Sequence, residues 1–367
     1  MKQPHAPRSR WSWSIGRIAG IEIKVHGTFL ALLAWILVSH LVAGEKLAAA
    51  TQGVLSMIAL FGIVILHELG HALTARRFGI RTRDITLLPI GGVARLEKMP
   101  DNPRQELLVA IAGPLVNVAL AIVAFAGMRA VGAPWSPQAV GVVGGSLLAK
   151  LFWANVALAV FNLLPAFPLD GGRVLRALLA LRMGRVRATD IAARIGQLMA
   201  LLFGLAGLFG SPMLVFVALF VWIGAAEEDA LVHMNAALER VRVGDAMVTR
   251  FETLDARDPV GLGVERAIHA LQRDFPVLDG ARLVGVVSAA ELIRRAAAGG
   301  AGDAIGNVMI EIDDSAAPGE LVEVALERLT RAELPMLPVL DSGELVGLLV
   351  PENVAQVAGL RDAAQPR

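Results

Sequence analysis

The stretch Leu55-Ser-Met-Ile-Ala-Leu-Phe-Gly-Ile-Val-Ile-Leu66 decides the fold, and it leads directly into His67-Glu68-Leu69-Gly70-His71. Its first part is apolar enough to belong to a membrane-spanning helix. His67 and His71 are four residues apart, so on a helix both imidazoles lie on one face and can share one zinc ion. Glu68, about a third of a turn away, can act as general base on a water molecule. The stretch therefore predicts a hydrolytic metal site inside a bilayer.

The composition indicates a membrane protein. The chain has 367 residues, of which 55% are hydrophobic and 18% charged, and its mean hydropathy is +0.61. Soluble domains contain about 25% charged residues. Cysteine is absent, which excludes disulfides, thiolate metal sites and cysteine nucleophiles. Any zinc ion must therefore be held by histidine and carboxylate.

Charge divides the chain into two parts. Residues 237–367 contain 21 acidic and 13 basic residues, whereas the preceding part contains 12 acidic and 21 basic residues. A basic apolar part joined to an acidic polar part predicts domains in different solvents. We place a transmembrane domain at residues 1–235 and two further domains at 236–298 and 299–360. Neither part has the basic soluble surface typical of nucleic-acid binding, so no nucleic-acid partner is expected.

Apolar runs predict an α-helical polytopic membrane protein with about six transmembrane helices. The predicted spans are Gly27–Gly44, Gly53–Ala75, Glu106–Met128, Gly141–Leu164, Ile191–Gly210 and Pro212–Ala226. Arginine is concentrated between spans two and three and between spans four and five, whereas the other loops carry few charges. The positive-inside rule therefore predicts a multi-pass protein of the cell membrane with cytoplasmic N- and C-termini. The excess of arginine over lysine indicates a GC-rich genome. A prokaryotic source is expected.

The segment Ile85–Leu96, between spans two and three, is predicted to form a membrane-associated β-hairpin. It is bounded by charged residues and centred on Pro89 and Gly91-Gly92. Non-helical backbone at membrane depth is tolerated only against protein or a wet cavity. A hairpin directly after the histidine helix could offer an open strand edge to an extended substrate. A plain cytoplasmic hairpin is the alternative.

Asp170 is the best candidate for the third protein ligand that a catalytic zinc site needs. It lies in Asn162-Leu-Leu-Pro-Ala-Phe-Pro-Leu-Asp-Gly-Gly-Arg173, just past span four and on the same predicted side as His67. The prolines forbid a regular helix, and Gly171-Gly172 lets another segment approach closely. A carboxylate on such a semi-buried turn needs a partner, which a metal provides. An N-cap of the segment Arg173–Leu181 is the alternative.

The combination of HExxH in a span with the later Asn-x-x-Pro-x-x-Pro-Leu-Asp-Gly-Gly motif closely resembles the site-2 protease family of intramembrane zinc metalloproteases. The resemblance covers roughly residues 15–230 and includes Gly113-Pro114-x-x-Asn117, which looks like a third signature of that family. It implies one zinc ion per chain and a catalytic base. In this sequence the implied zinc ligands are His67, His71 and Asp170, and the implied catalytic base is Glu68.

The same resemblance implies a substrate class and a further site residue. Substrates are expected to be single-span membrane proteins, such as anti-sigma factors or membrane-tethered regulators. Asn162 is expected to make a polar contact near the reacting carbonyl. For Asn162, hydrogen bonding between helices is the alternative role, whereas for Asn117 it is the predicted role.

The C-terminal part contains an internal repeat with an offset of 62 residues. Pro276-Val-Leu-Asp279 and Leu283-Val-Gly285 recur as Pro338-Val-Leu-Asp341 and Leu345-Val-Gly347. In each unit an amphipathic helix precedes these strands, at Val264–Arg273 and Val322–Arg331, and two such units stack into one α/β module. The repeat resembles a tandem pair of cystathionine-β-synthase (CBS) domains over about Val241–Leu360.

The resemblance to CBS pairs implies an adenine nucleotide in the cleft between the repeats and a homodimer formed through the module. The ribose-binding pattern of the family, Gly-x-x-Ser/Thr-x-x-Asp, is matched in the first repeat by Gly285, Ser288 and Glu291, with Glu in place of Asp. The second repeat has Val350 and Asn353 at the two polar places. Nucleotide sensing through Ser288 and Glu291 and a purely structural or dimerising role both stay open.

These observations predict an intramembrane zinc endopeptidase regulated by a cytosolic CBS pair. The alternative is a CBS-gated transporter or channel with a buried metal site. A conduction path needs neither the glutamate of HExxH nor the Pro-Leu-Asp-Gly-Gly motif, which favours the protease. A third hypothesis, a catalytically inactive relative that binds membrane helices, is disfavoured by the intact set of ligands and base.

Overall fold

The computed structural model describes residues 11–89, 91–96, 99–132, 146–239, 241–270, 272–332 and 334–364. The chain divides into two compact units between Val232 and His233. The first unit contains the histidine helix and most of the apolar residues, and the second contains the repeat.

The first unit is built from helices with an outward apolar surface. Its helices are α1 (Gly27–Val42), α2 (Leu47–Arg77), α3 (Pro103–Ala130), α4 (Leu147–Asn162), α5 (Asp170–Ala180), α6 (Arg185–Phe209) and α7 (Pro212–Leu238), of which residues 233–238 belong to the second unit. Within the described residues, α2, α3 and α6 are long and apolar enough to cross a membrane, and α1 and α4 are shorter apolar helices. Large apolar side chains such as Ile122 and Val123 point outward and are more than 60% exposed. This surface is typical of a protein whose solvent is lipid.

The boundaries differ from those predicted mainly at the helix ends. Helix α2 begins at Leu47, six residues before the predicted span, and α3 begins at Pro103, with the side chain of Asn102 accepting a hydrogen bond from the Arg104 backbone amide. The predicted start of span four, Gly141, lies outside the described residues. The three long spans and the shorter apolar helices establish a multi-pass membrane region; the count of six spans stays a prediction.

The predicted hairpin is part of a four-stranded sheet. The strands β1 (Ser12–Ile18), β2 (Ile21–His26), β3 (Thr82–Leu88) and β4 (Gly91–Leu96) lie in chain order across it, and β4 is at an edge. Strand β3 pairs antiparallel with β4, as the hairpin prediction requires, and parallel with β2. Buried residues of the sheet pack on buried residues of α2; the cluster is Ile21, Ile23, Ile85, Leu69 and Ala72. The sheet is thereby fixed against the helix that carries the histidines.

The second unit is an α/β module with the expected repeat. Its helices are α8 (Val243–Ala246), α9 (Val260–Ala270), α10 (Ala289–Arg295), α11 (Val322–Ala332) and α12 (Pro351–Ala364). Its strands are β5 (Leu254–Asp255), β6 (Asp274–Asp279), β7 (Arg282–Ser288), β8 (Ile310–Glu311), β9 (Leu337–Asp341) and β10 (Glu344–Leu349). Strands β5 to β8 form one sheet, and β9 and β10 form another.

Equivalent residues of the two repeats make equivalent contacts across the module. A Cβ atom at Gly285 would lie 2.8 Å from Sδ of Met309, and one at Gly347 would lie 2.5 Å from Sδ of Met247. Each glycine therefore packs against the methionine that belongs to the other repeat. This reciprocal packing explains why both residue types recur at the same offset.

Candidate functional site

The two histidines of HExxH lie on one face of α2. His67 and His71 are 6% and 7% exposed, and their Nε2 atoms are 3.1 Å apart. Such an arrangement follows from the four-residue spacing on a helix. The Nδ1 atom of His71 lies 2.7 Å from the backbone oxygen of Val109 on α3. A carbonyl oxygen can only accept, so Nδ1 of His71 carries the hydrogen and its Nε2 presents a lone pair.

Asp170 comes to the same point from a tight turn. A Cβ atom at Gly171 would lie 2.2 Å from the backbone oxygen of Leu164, so a residue with a side chain would not fit there. Oδ2 of Asp170 lies 3.1 Å from Nε2 of both His67 and His71. Leu169 is the N-cap of α5, and Asp170 is in its first turn. The alternative role of Asp170 as an N-cap of the following segment is therefore wrong, because its carboxylate faces the histidines.

The three ligand atoms fit a zinc ion. Two imidazole nitrogens and one carboxylate oxygen form a triangle with sides of 3.1 Å. In a tetrahedral zinc site with bonds of about 2.0–2.1 Å, ligand atoms lie about 3.3 Å apart. Lone pairs that converge this closely repel each other unless a cation lies between them. His67, His71 and Asp170 are buried, and this donor set is the one expected of catalytic zinc.

Helix α3 passes unusually close to these ligands. A Cβ atom at Gly113 would lie 2.2 Å from Nε2 of His71 and 2.7 Å from Nε2 of His67. The glycine of the Gly-Pro-x-x-Asn signature therefore leaves room for the ligands themselves. Four residues further on, the side-chain oxygen of Asn117 contacts Nδ1 of His67.

The ligand triangle opens on a cavity of about 480 Å³. Glu68 and Asn162 line this cavity beside the ligands, together with Gly91 to Ala94 of the edge strand β4. A Cβ atom at Gly92 would lie 3.0 Å from Cγ of Glu68, so β4 lies directly against the predicted base. Among the described residues, the Asn162 side chain forms no hydrogen bond, which argues against a role in joining helices.

Two buried polar residues near the ligands were not predicted from the sequence. Asn155 on α4 is 1% exposed and contacts Asn117. Arg176 on α5 is fully buried and pairs with Glu106 of α3 and Glu228 of α7. The available signal was that each is a polar residue inside or beside an apolar segment, where polar groups need partners.

The C-terminal module contains a second cavity, of about 350 Å³, at the predicted nucleotide position. Ser288 and Glu291 both line it, together with Leu334 and Pro335 of the second repeat. Oγ of Ser288 accepts the Glu291 backbone N–H at 3.2 Å, and the Glu291 carboxylate pairs with Arg294. In the second repeat, the Asn353 amide donates to the backbone oxygen of Ala246 at 2.7 Å. That side chain is therefore used to hold the fold.

The chain is similar to known proteins. The model of peptidase family M50 matches residues 55–203. The chain is 34% identical to zinc metalloprotease MJ0392 of Methanocaldococcus jannaschii over 284 residues, which are 76% of this chain and 78% of that protein. It is 31% identical to Rip3 of Mycobacterium tuberculosis, over 96% of this chain and 94% of that protein.

Solved structures are similar to each part of the chain. The site-2 protease of Methanocaldococcus jannaschii is 38% identical, with a TM-score of 0.44, and covers 60% of this chain and 95% of its own. A hemolysin-like protein of Oenococcus oeni that contains a CBS domain is 19% identical, with a TM-score of 0.32, over 35% of this chain and 96% of its own. By its relatives and by the ligand set that its fold brings together, the chain belongs to peptidase family M50, the site-2 proteases, and is a zinc metalloprotease.

Proposed function

We propose that this protease cleaves the transmembrane segments of single-span membrane proteins, such as anti-sigma factors or membrane-tethered regulators. The observation that carries the proposal is the shared cavity, in which the ligand triangle, Glu68 and the edge strand β4 border one space. A site for a permeating ion would need neither a carboxylate beside the ligands nor a strand edge. The geometry therefore favours hydrolysis of an extended peptide.

The residues of the cavity supply the parts of peptide hydrolysis. When bound, zinc supplies Lewis-acid polarisation of the scissile carbonyl. Glu68 lies outside the ligand triangle and lines the cavity, so its carboxylate is free to take the proton of the attacking water and pass it to the leaving amine. Asn162 faces the same space, and its amide N–H groups donate to the oxygen of that carbonyl.

Strand β4 is the proposed holder of the substrate. A helix hides its carbonyl groups in internal hydrogen bonds, so a spanning substrate must unwind before it can be cleaved. The open edge of β4 can pair with the unwound segment by strand addition. Because Gly92 packs against Glu68, a segment paired there would pass close to the base.

Co-expression with candidate single-span proteins tests the proposal. Wild-type protein should cleave a substrate, and Glu68→Gln should lower cleavage by about 10²–10⁴-fold while the purified protein keeps its zinc, because the carboxylate moves protons and is not a ligand. Asp170→Ala should lose zinc as well as activity, since a ligand disappears. Loss of zinc from Glu68→Gln would contradict the assigned roles, and so would a full zinc equivalent in Asp170→Ala.

We also propose that the C-terminal module regulates cleavage by binding one adenine nucleotide per chain. Support comes from the cavity lined by Ser288 and Glu291 and from the different use of Asn353 in the second repeat. The Ser288 hydroxyl can still donate, and the Glu291 carboxylate can accept from ribose hydroxyls. A homodimer formed through the module is the accompanying proposal, and light scattering of the purified protein tests it.

A further inference from the structure

Three buried polar side chains from three helices form a chain of hydrogen bonds that ends on a zinc ligand. They are Asn155 of α4, Asn117 of α3 and His67 of α2, which are 1%, 0% and 6% exposed. Nδ2 of Asn155 donates to the backbone oxygen of Leu151 at 2.8 Å, and Nδ2 of Asn117 donates to Oδ1 of Asn155 at 3.1 Å. Oδ1 of Asn117 then contacts Nδ1 of His67.

The first contact fixes the direction of every other one. The Leu151 carbonyl oxygen can only accept, so Asn155 must turn its NH₂ group towards it and its oxygen towards Asn117. Asn117 must then turn its own NH₂ group towards Asn155, which leaves its oxygen towards His67. Nδ1 of His67 therefore carries the hydrogen, and Nε2 keeps the lone pair that binds a metal.

The opposite direction of these hydrogen bonds would place a hydrogen on Nε2 of His67, where a metal would bind. If the Asn117 amide were reversed, its NH₂ group would face Nδ1 of His67, and the imidazole hydrogen would move to Nε2. Nε2 lies 3.1 Å from both His71 Nε2 and Asp170 Oδ2, so that hydrogen would point into the ligand triangle. The two ends of an amide have nearly the same shape, so packing alone does not select between these directions.

The other histidine needs no such chain. His71 has a backbone carbonyl as its partner, and a carbonyl cannot reverse its role. His67 instead has a side-chain amide as its partner, which must be oriented from outside. This difference gives Asn155 a function, although in the described hydrogen bonds it contacts none of the three ligand residues.

We propose that Asn155 is a positioning residue for metal binding, which acts by fixing the orientation of Asn117 and thereby the tautomer of His67. The proposal rests on the zinc site of the proposed function but concerns zinc affinity, which is measured without a substrate. Failure of the cleavage assay would therefore leave this test unaffected.

The test is the zinc affinity of the purified full-length protein, measured by competition with a chelator, in two backgrounds. Asn155→Leu should weaken zinc binding by about 10–100-fold, as expected for loss of a partner behind a ligand, because Asn117 is then free to reverse. Asp at position 117 can accept from His67 but cannot present an NH₂ group. In the Asn117→Asp background, Asn155→Leu should therefore change zinc affinity by less than about threefold.

A purely structural role for Asn155 would give a different result. An equal loss of zinc affinity in both backgrounds would show that Asn155 acts through packing, and no loss from Asn155→Leu alone would show that Asn117 needs no orientation. Either outcome overturns the proposal. If Asn155→Leu fails to fold, Asn155→Asp serves in its place, because its carboxylate still accepts from Asn117. Zinc affinity of Asn155→Asp should stay within about threefold of wild type, and a tenfold loss would overturn the proposal.

Discussion

At the scale of single residues, the zinc site depends on the absence of a side chain as much as on its ligands. A Cβ atom attached at Gly113 would collide with the imidazoles of both His67 and His71. Glycine is required at this position because α2 and α3 pack too closely for a side chain. An unusual backbone angle is not the reason.

Gly113→Ala should reduce zinc affinity by about 10–100-fold, because its methyl group would lie 2.2 Å from Nε2 of His71. Zinc content of the purified protein, measured by atomic absorption, checks this expectation. Gly127→Ala on the same helix is the matched control, since its Cβ atom would lie 3.6 Å from a Leu148 methyl group, an ordinary contact. Equal zinc content in the two variants would contradict the close approach of α3.

Sequence alone was sufficient for the residues that belong to a motif. His67, His71 and Asp170 come together as predicted. Helical spacing places the two histidines on one face, and the proline-rich motif after span four identified the aspartate. Asn155 could not be predicted in the same way. Its role depends on which residue of α3 lies opposite, and that information is in the packing of three helices.

At the scale of elements, α5 is held by a buried charge cluster. Nε of Arg176 donates to Oε1 of Glu106 at 2.8 Å, and the guanidinium also pairs with Glu228. Its carbon atom lies 5.1 Å from the centre of the Phe167 ring, in the turn that precedes Asp170. Arg176 therefore ties the ligand-bearing end of α5 to both α3 and α7.

Arg176→Met should lower the free energy of unfolding by about 3–5 kcal/mol, because two carboxylates would lose their buried partner. Unfolding of the detergent-solubilised protein by sodium dodecyl sulfate measures the change. Arg182→Met, at an exposed position just after the same helix, should be nearly neutral. If Arg176→Met and Arg182→Met have the same free energy of unfolding, the buried cluster contributes no more to stability than an exposed charge does.

Strand addition at β4 predicts an alternating pattern of contacts with substrate. The chain contains no cysteine, so Val93→Cys introduces a single thiol on a side chain that is 43% exposed. Single cysteines placed along the substrate should form disulfides with the cysteine of Val93→Cys at every second substrate position, since side chains alternate along a strand. A period of three to four residues would show that the substrate stays helical there.

The elements missed by sequence reasoning are those with distant partners. Strands β1 and β2 were not predicted from the sequence. Strand β2 pairs with β3 some sixty residues later, with Glu22 opposite Asp84. By contrast, the hairpin β3–β4 has a local turn, and turn residues are visible in the sequence.

At the scale of the whole molecule, the basic loops predict how the membrane unit is inserted. A reporter fused after Arg187 or after Asp229 should be cytoplasmic, and one fused near Glu45 or Ala133 should be external. Paired alkaline phosphatase and green fluorescent protein fusions give opposite signals for the two sides. An external signal at Asp229 would remove one span from the predicted six.

The cavity lined by Ser288 and Glu291 is the basis for a predicted nucleotide response. Glu291→Ala should weaken binding of ATP, ADP or AMP by about 1.5–3 kcal/mol, the cost of a lost hydrogen bond to a charged group. Calorimetry on the full-length protein measures this, with Glu344→Ala, at an exposed position of the second repeat, as the control. Cleavage by Glu291→Ala should keep its basal rate and lose its response to ATP. No heat from wild-type protein with any of the three nucleotides would support a dimerising role instead.

The separation of the ligands along the chain has a consequence for biosynthesis. Asp170 lies 103 residues after His67, and α3 and α4 lie between them. While a ribosome is still translating those helices, the nascent chain carries the two histidines and the glutamate but has no complete ligand set. The metal site of the newly made protein therefore stays incomplete until α5 has been made. Proteolysis can start only after that point, while α6, α7 and the C-terminal module still follow along the chain.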